Sequence, residues 1–305
     1  MAAHRLQCEL ISEADLERMI AAQFGESGQL ASNQVLPDKA WCPLAASVLA
    51  SLGLERHLLL CCTGAEILLR DLPAVFRFHV VAPESLRAAN VAADGRVSRE
   101  EAKRRLRKLT AAQFLLRKRR FGQKTSSLTS FDMVVNAQAM GLEEMVDLLA
   151  SAVRSQGLLE GGLLSSQAAA KVQFEARLKL ARFGLLGYAP DRVLVERKPF
   201  GHPSEEVFAN LLDFYRIAWD YEPRSFPLQW DKDGKVSEAF TPDFYLPEFD
   251  LYVELTTMKQ ANVTRKNRKI RLLRAIYPHV NIQVFYQKDV QDLVMKYRSP
   301  ERVPR

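Results

Sequence analysis

Three acidic residues in the C-terminal half have the types and spacing that metal-dependent phosphoester chemistry requires. Asp243 follows Pro242, which keeps the preceding backbone extended, and Glu254 interrupts an apolar run eleven residues later. Two short antiparallel strands can place these two carboxylates side by side on one face. Glu206, near the start of an amphipathic helix, supplies a third carboxylate. Hard cations such as Mg²⁺ or Mn²⁺ bind carboxylate oxygens, so we expect Asp243, Glu254 and Glu206 to be metal ligands.

Each of these acids also has a purely structural explanation, which the sequence alone leaves open. Asp243 after Pro242 is a common turn residue. Glu254 is a suitable salt-bridge partner for the basic segment that follows it. Glu206 is favoured near a helix N-terminus by the helix dipole.

The basic residues of the chain are concentrated beside these acids. The net charge is +7, and no Asp or Glu occurs between Leu255 and Lys288. An isolated basic run is usually a solvated helix face. Beside the acids it predicts sugar-phosphate contacts with DNA or RNA, which weaken steeply with salt. The residues predicted to make these contacts are Arg265, Lys266, Arg268, Lys269 and Arg271.

The elements predicted around these residues follow an α-β-β-β-α-β order. A helix is expected over 204–215 with Ser204 as its cap, followed by a strand over 218–226. Residues 240–258 are expected to form a Pro-bounded strand, a turn and a core strand, followed by a basic helix over 263–276 and a last strand over 281–287. With Pro242-Asp243 and Glu254-Leu255-Thr256, residues 195–290 resemble the PD-(D/E)XK nuclease superfamily. The resemblance implies a restriction-endonuclease-like α/β domain and metal-dependent phosphodiester hydrolysis, with a catalytic set of Glu206, Asp243, Glu254, Thr256 and Lys259.

The family lysine is the point at which this sequence departs from the pattern. The family places it two residues after the second acid, where this chain has Thr256. Lys259 can take its place if the strand ends near Met258. Otherwise Lys266 or Lys269, from the following helix, can fill the gap.

The first half of the chain predicts alternating strands and helices. Apolar runs over 57–64, 76–83 and 131–137 are typical of buried parallel strands. Ser98 and Glu101 form a capping box at the start of a long basic helix that runs to about Arg120. In this order the segments resemble the cytidylate-kinase-like family, which implies a P-loop-kinase-like three-layer α/β domain.

A kinase of this type needs arginines on the nucleotide phosphates and a glycine-rich loop ending in GK[ST]. The sequence has no such loop. The nearest segment, residues 24–32, lacks the lysine and follows a predicted helix rather than a strand. We therefore expect a catalytically degenerate domain that binds a nucleotide or serves only as a scaffold. The arginines placed to contact a nucleotide are Arg70, Arg104, Arg105, Arg117 and Arg120.

The length and composition of the chain predict two domains. The chain has 305 residues, 48% hydrophobic and 26% charged, which suits two domains. We expect a kinase-like domain over 1–156, a linker and bracing helix over 157–194, and a nuclease-like domain over 195–305. Four cysteines without metal spacing, no signal peptide and no membrane segment favour a cytoplasmic protein. Nuclease-like domains of this size often form homodimers, although the sequence shows no interface stripe.

The predicted function is a Mg²⁺- or Mn²⁺-dependent nuclease with a kinase-like regulatory or docking domain. One alternative is a non-catalytic nucleic-acid- or nucleotide-binding protein whose two active sites have decayed. A working nucleotide kinase is disfavoured by the missing GK[ST]. A serine hydrolase is excluded because no G-x-S-x-G occurs and the five histidines show no triad spacing.

Overall fold

Two separate units make up the computed structural model, which describes residues 1–25, 38–70, 72–123, 125–183, 185, 199–256 and 260–297. One unit takes the described residues as far as Leu164, and the other begins at Ser165. The boundary therefore falls within the predicted linker and bracing helix, residues 157–194.

The first unit alternates helices with short strands. Its elements are α1 (Ala2–Leu6), β1 (Glu9–Ser12), α2 (Glu13–Gly25), α3 (Trp41–Gly53), β2 (Leu58–Cys61), α4 (Ala65–Leu68), β3 (Phe78–Val81), α5 (Glu84–Gly95), α6 (Arg99–Phe121), β4 (Met133–Asn136) and α7 (Leu142–Ser155). Of the predicted capping box the N-cap is present, because the Ser98 side chain accepts a hydrogen bond from the Glu101 backbone N–H at 3.3 Å, while the Glu101 carboxylate pairs with Arg104 and Arg105.

The strands of this unit pair in parallel, as expected for an α/β domain. β1 pairs with β2 and β3 pairs with β4, but these pairs do not join into one sheet within the described residues. All four strands have only four residues, and Leu10 and Val80 are about half exposed. The unit is therefore a mixed α/β structure with small sheets rather than a continuous parallel sheet.

The second unit begins with two helices, and five strands follow them before the next α-helix. Its elements are α8 (Ser166–Arg182), α9 (Pro203–Phe214), β5 (Asp220–Tyr221), β6 (Phe226–Trp230), β7 (Val236–Phe240), β8 (Phe244–Leu246), β9 (Leu251–Thr256), α10 (Gln260–Ile276), β10 (Ile282–Tyr286) and α11 (Gln287–Tyr297). The cap of α9 differs from the prediction, since His202 rather than Ser204 precedes the helix and its Nδ1 accepts from the Ser204 N–H at 3.1 Å.

A four-stranded sheet with the order β10-β9-β8-β5 forms the centre of this unit. β9 and β10 are parallel, while β8 is antiparallel to both β9 and β5. β6 and β7 form a separate hairpin, closed by a turn in which Asp231 N–H bonds to the Lys235 carbonyl at 2.8 Å. The described helices include none that is long and apolar enough to cross a bilayer.

Apolar residues from helices and sheet together fix the position of these strands. Phe174 and Leu178 of α8 are fully buried in the same core as Phe208 of α9 and Phe244 of β8. α8, which contains most of the predicted bracing helix, is therefore part of the core of the second unit. A second core, which contains Ile270 and Leu273, holds α10 against the β6–β7 hairpin.

Candidate active site

Asp243 and Glu254 lie opposite each other on neighbouring strands. β8 and β9 pair with Phe244 opposite Val253, so one further step along this register puts Asp243 opposite Glu254. Asp243 Oδ2 accepts a hydrogen bond from the Leu255 N–H at 2.6 Å, which fixes the orientation of its carboxylate. Glu254 is only 1% exposed.

Burial and mutual repulsion make it unfavourable for both carboxyl groups to be ionised at the same time. Burial raises the pKa of Asp243 to about 7, and the negative charge of Glu254 adds to the increase. Burial also raises the pKa of Glu254, against the opposing effect of the nearby Lys266 ammonium. Two acids that are hard to ionise together stabilise an additional cation placed between them.

Lys266 of α10 supplies the cation beside this pair and contacts Glu254. Its Nζ forms an ion pair with Glu254 Oε1 and donates to the Leu255 carbonyl at 3.3 Å. Burial alone would lower the pKa of Lys266, but the carboxylates of Glu254 and Asp243 outweigh it and raise the pKa above its ordinary value. Lys266 therefore carries a proton at neutral pH.

These groups line a cleft of about 400 Å³, which we call the active-site cleft. One wall is the segment that leads from β7 into Asp243, and the other is the start of α10. Arg265, Lys266 and Lys269 contribute three cations to the lining. The cleft thus places positive charge around a buried acidic pair, which suits an anionic substrate.

The third acid beside this pair is Glu205 rather than the predicted Glu206. Glu206 is exposed, whereas Glu205 is buried and its charge raises the pKa values of Asp243 and Glu254. Glu205 Oε2 accepts from the Gly201 N–H at 2.9 Å and from the Tyr221 hydroxyl at 2.7 Å.

Helical periodicity could have identified Glu205 from the sequence. The buried positions of α9 are 205, 208, 209, 211 and 212, so an acid at 205 lies on the apolar stripe and an acid at 206 does not. The described residues nevertheless contain no group of three or more His, Cys, Asp or Glu side chains placed to hold a metal. The predicted three-acid set of Glu206, Asp243 and Glu254 is therefore not assembled.

Thr256, one of the predicted catalytic residues, is buried on β9 with a hydroxyl that has no hydrogen-bond partner in the described structure. Lys259 lies outside the described residues. Of the two described lysines left open by the sequence, Lys266 contacts Glu254. Lys269 lines the cleft and donates to the Ala239 carbonyl at 2.9 Å.

The five basic residues predicted to contact nucleic acid have different surroundings in the structure. Arg265, Lys266 and Lys269 line the active-site cleft. Arg268 instead makes a two-pronged ion pair with Glu238 of β7, at 2.6 and 2.8 Å. Arg271 lies on another side of α10, in a second groove.

In the first unit, two of the arginines assigned to nucleotide phosphates bind acids of the protein itself. Arg120 is nearly buried, bridges Glu13 and Glu17 at 2.5 and 2.6 Å, and lies over the Trp41 ring at 4.0 Å. Arg117 forms an ion pair with the buried Glu66. The side chains of both arginines are therefore already occupied.

The remaining arginines of this group lie at the surface. Arg104 and Arg105 form ion pairs with Glu101 along α6, and Arg70 is exposed. The strand β1 ends at Ser12 and α2 begins directly at Glu13, without a glycine loop between them. The structure therefore offers no phosphate-binding loop at this strand end, and most of residues 24–32 lie outside the described chain.

Comparison with known proteins gives a family match for the first unit. Residues 3–139 match the model of the cytidylate kinase-like family, which confirms the resemblance of the N-terminal half. A crystal structure of an uncharacterized protein from Eubacterium ventriosum aligns over 50% of this chain and 88% of its own, with 13% identity and a TM-score of 0.41. No curated protein matches the chain.

Proposed function

We propose that the second unit is a divalent-metal-dependent nuclease of the PD-(D/E)XK type and that the first unit is a non-catalytic kinase-like module. The observation that carries this proposal is the convergence of Asp243, Glu254 and Lys266 in one cleft. A purely structural salt bridge needs one acid and one base. Here two desolvated acids share one lysine, an arrangement that folding alone does not require.

The donor set suits a hard divalent cation. Glu254 Oε2 is buried and has no hydrogen-bond partner within the described part of the chain, so one carboxylate oxygen is left to a ligand. Mg²⁺ is commonly held by one or two carboxylates, with water and substrate phosphate completing its shell. Asp243 and Glu254 would hold the ion here. When bound, the ion would polarise the phosphate and lower the pKa of a water molecule.

The protein groups around this position have separable roles. Lys266 keeps its proton on Nζ and offers positive charge to the phosphate, where charge accumulates during phosphoryl chemistry. Arg265 and Lys269, on the same wall, bind the neighbouring phosphates. Glu205 adds negative charge and, through Tyr221 and Gly201, fixes the beginning of α9 beside the cleft.

A cleavage assay tests this function directly. Labelled single- and double-stranded DNA and RNA are incubated with the full chain in Mg²⁺ or Mn²⁺. Asp243→Asn and Glu254→Gln are expected to abolish cleavage, and Lys266→Met to reduce the rate by at least about 100-fold. Lys171→Met, at an exposed lysine of α8, makes the same change away from the cleft and is expected to retain full activity.

Two results would contradict the proposal. One is a wild-type protein that binds nucleic acid but cuts none of the substrates with either metal. This outcome favours the alternative, a binding protein with decayed active sites. The other is cleavage that survives in both carboxylate variants, which would place the activity elsewhere.

The proposal assigns the first unit a docking or regulatory role because Arg117 and Arg120 are bound to Glu66, Glu13 and Glu17. A working kinase would need these guanidinium groups on nucleotide phosphates. Phosphoryl transfer from ATP to CMP is therefore expected to be absent, and measurable transfer would overturn this part of the proposal. Calorimetry with ATP, CTP and CMP then shows whether the unit still binds a nucleotide.

A further inference from the structure

A second groove, of about 490 Å³, lies between α10 and β10. We call it the α10–β10 groove. Arg271, Arg274 and Asn267 line it from the helix, and Gln283 and Tyr286 line it from the strand. None of its lining residues is acidic, since the chain has no Asp or Glu between Leu255 and Lys288.

This groove is distinct from the active-site cleft, although both use α10. Successive residues of a helix are rotated by about 100°. Relative to Lys266, Lys269 is turned by about 60° in one direction, whereas Arg271 is turned by about 140° in the other. The two sets of cations therefore lie on opposite flanks of one helix, and neither flank shares a lining residue with the other.

The groove combines two cations, one of which is held by a hydrogen bond, with an accessible aromatic ring. Arg271 and Arg274 are both exposed, and Arg274 is held by a hydrogen bond to the Ile282 carbonyl at 3.2 Å. Tyr286 is 41% exposed, and its hydroxyl donates to Asn267 Oδ1 at 3.3 Å. The ring is thus held in one orientation while part of its surface remains open to a ligand.

We infer that the α10–β10 groove binds a single-stranded segment of nucleic acid, with one base stacked on Tyr286 and the adjacent phosphates on Arg271 and Arg274. The inference rests on the proposed function and deepens it by naming the substrate class. An aromatic side chain stacks on a base only where the face of that base is free, as in single strands, loops and ends. Duplex bases are covered by their neighbours, so a duplex can use only the two arginines.

Binding without cleavage separates this inference from the nuclease activity. Fluorescence anisotropy of the full chain in EDTA is measured with a labelled oligothymidylate and with a blunt duplex of equal length. Wild type is expected to prefer the single strand. Arg271→Gln/Arg274→Gln is expected to bind the single strand at least roughly tenfold more weakly and to lower the slope of log K against log salt by about 1.4.

Lys232→Gln/Lys235→Gln is the matched control, since it removes two exposed positive charges from the β6–β7 turn of the same unit. It is expected to lower single-strand affinity far less than the arginine pair does. An equal loss from both double variants would mean that net charge alone governs binding, and this would overturn the inference.

Tyr286 provides a second, independent readout. Tyr286→Ala is expected to weaken single-strand binding by roughly tenfold and to leave duplex binding unchanged. Tyr286→Phe keeps the ring and is expected to retain the wild-type affinity. Equal effects of Tyr286→Ala on both nucleic acids, or none on either, would overturn the stacking role.

Failure of this inference is distinguishable from failure of the proposed function. If Asp243→Asn abolishes cleavage while the groove variants bind like wild type, the nuclease stands and the groove assignment falls. If wild type never cuts but the groove variants lose single-strand preference, the groove stands and the nuclease falls.

Discussion

Replacing Asp243 by Asn should make the metal-free protein more stable, even though Asp243 is assigned to the active site. Asn retains an oxygen that can accept the Leu255 N–H and removes the negative charge facing Glu254. The ion pair between Glu254 and Lys266 then no longer shares its lysine with a second acid. Active sites commonly store unfavourable electrostatics of this kind.

The size of the effect follows from the pKa of Asp243. The pKa of the Asp243 carboxyl is 3.8 in the unfolded chain and about 7 in the folded protein, chiefly because burial disfavours the charged form. One pKa unit corresponds to about 1.4 kcal/mol, so the destabilisation of the ionised folded protein is at most about 4 kcal/mol. Water at the cleft screens part of this energy. We expect Asp243→Asn to raise the free energy of unfolding by about 1–3 kcal/mol above pH 7.

The sign of the pH dependence distinguishes this cause from a general packing effect. Between pH 3.8 and about 7 the folded protein holds a proton on Asp243 that the unfolded chain has released. The contribution of Asp243 to stability is therefore fully present below pH 3.8 and is lost as the pH rises to about 7. The advantage of Asp243→Asn should accordingly be small near pH 4 and grow until about pH 7.

Urea unfolding in EDTA at several pH values measures this difference. Hydrogen exchange of the amides of β9 assigns the change to the second unit, because a chain of two units need not unfold in one step. Asp220→Asn, at an exposed carboxylate of β5 in the same sheet, is the control and should show no comparable gain. An Asp243→Asn protein that is less stable than wild type at pH 8, or a gain independent of pH, would refute the reasoning.

Four further predictions concern the cation, the lysine and the first unit. Saturating Mn²⁺ should raise the melting temperature of wild type by binding the folded state, and should do so far less for Asp243→Asn; equal shifts would exclude Asp243 as a ligand. Lys266→Met should destabilise the second unit by about 3–5 kcal/mol in urea at pH 8 because it leaves Glu254 buried without its cation, whereas Lys266→Arg should retain most of the stability. Arg120→Ala should lower the stability of the first unit by about 3–5 kcal/mol, and Arg104→Ala, exposed on the same helix, by less than about 0.5 kcal/mol; similar losses would contradict the buried network. Gly64→Ala should destabilise the first unit by more than about 1 kcal/mol in thermal unfolding, since φ is +83° and a new Cβ would lie 2.3 Å from the Phe121 ring.

Local patterns predicted several elements of each unit, because hydrophobic periodicity and turn residues are properties of short segments. The strands over 57–64, 76–83 and 131–137 contain β2, β3 and β4, and the basic helix over 263–276 falls within α10. The division of the parallel strands into two separate pairs was not predictable in this way. Strand neighbours depend on contacts between distant segments, which a local pattern does not encode.

The candidate site shows the same limit at the level of single residues. Glu254 could be identified because an acid in an apolar strand is unusual, and Asp243 because it follows Pro242 at a spacing that suits two short paired strands. The prediction of Glu206 instead of Glu205 was wrong because it did not consider which positions of α9 face the core. The partners of Arg120 lie 103 and 107 residues away in the chain, so its local sequence resembles that of a free phosphate ligand.

In the proposed nuclease site the lysine comes from a helix rather than from a strand, and this changes what holds the site together. A lysine on β9 would be positioned by the pairing of β9 with β8 and β10. Lys266 depends instead on how α10 lies against the β6–β7 hairpin, which Arg268 and Lys269 fix through Glu238 and the Ala239 carbonyl. Arg268 therefore docks the helix instead of contacting a ligand, and Lys269 does so in addition to lining the cleft. Fewer positive charges of α10 are available to nucleic acid than the composition suggests, and these charges lie on two opposite flanks of the helix.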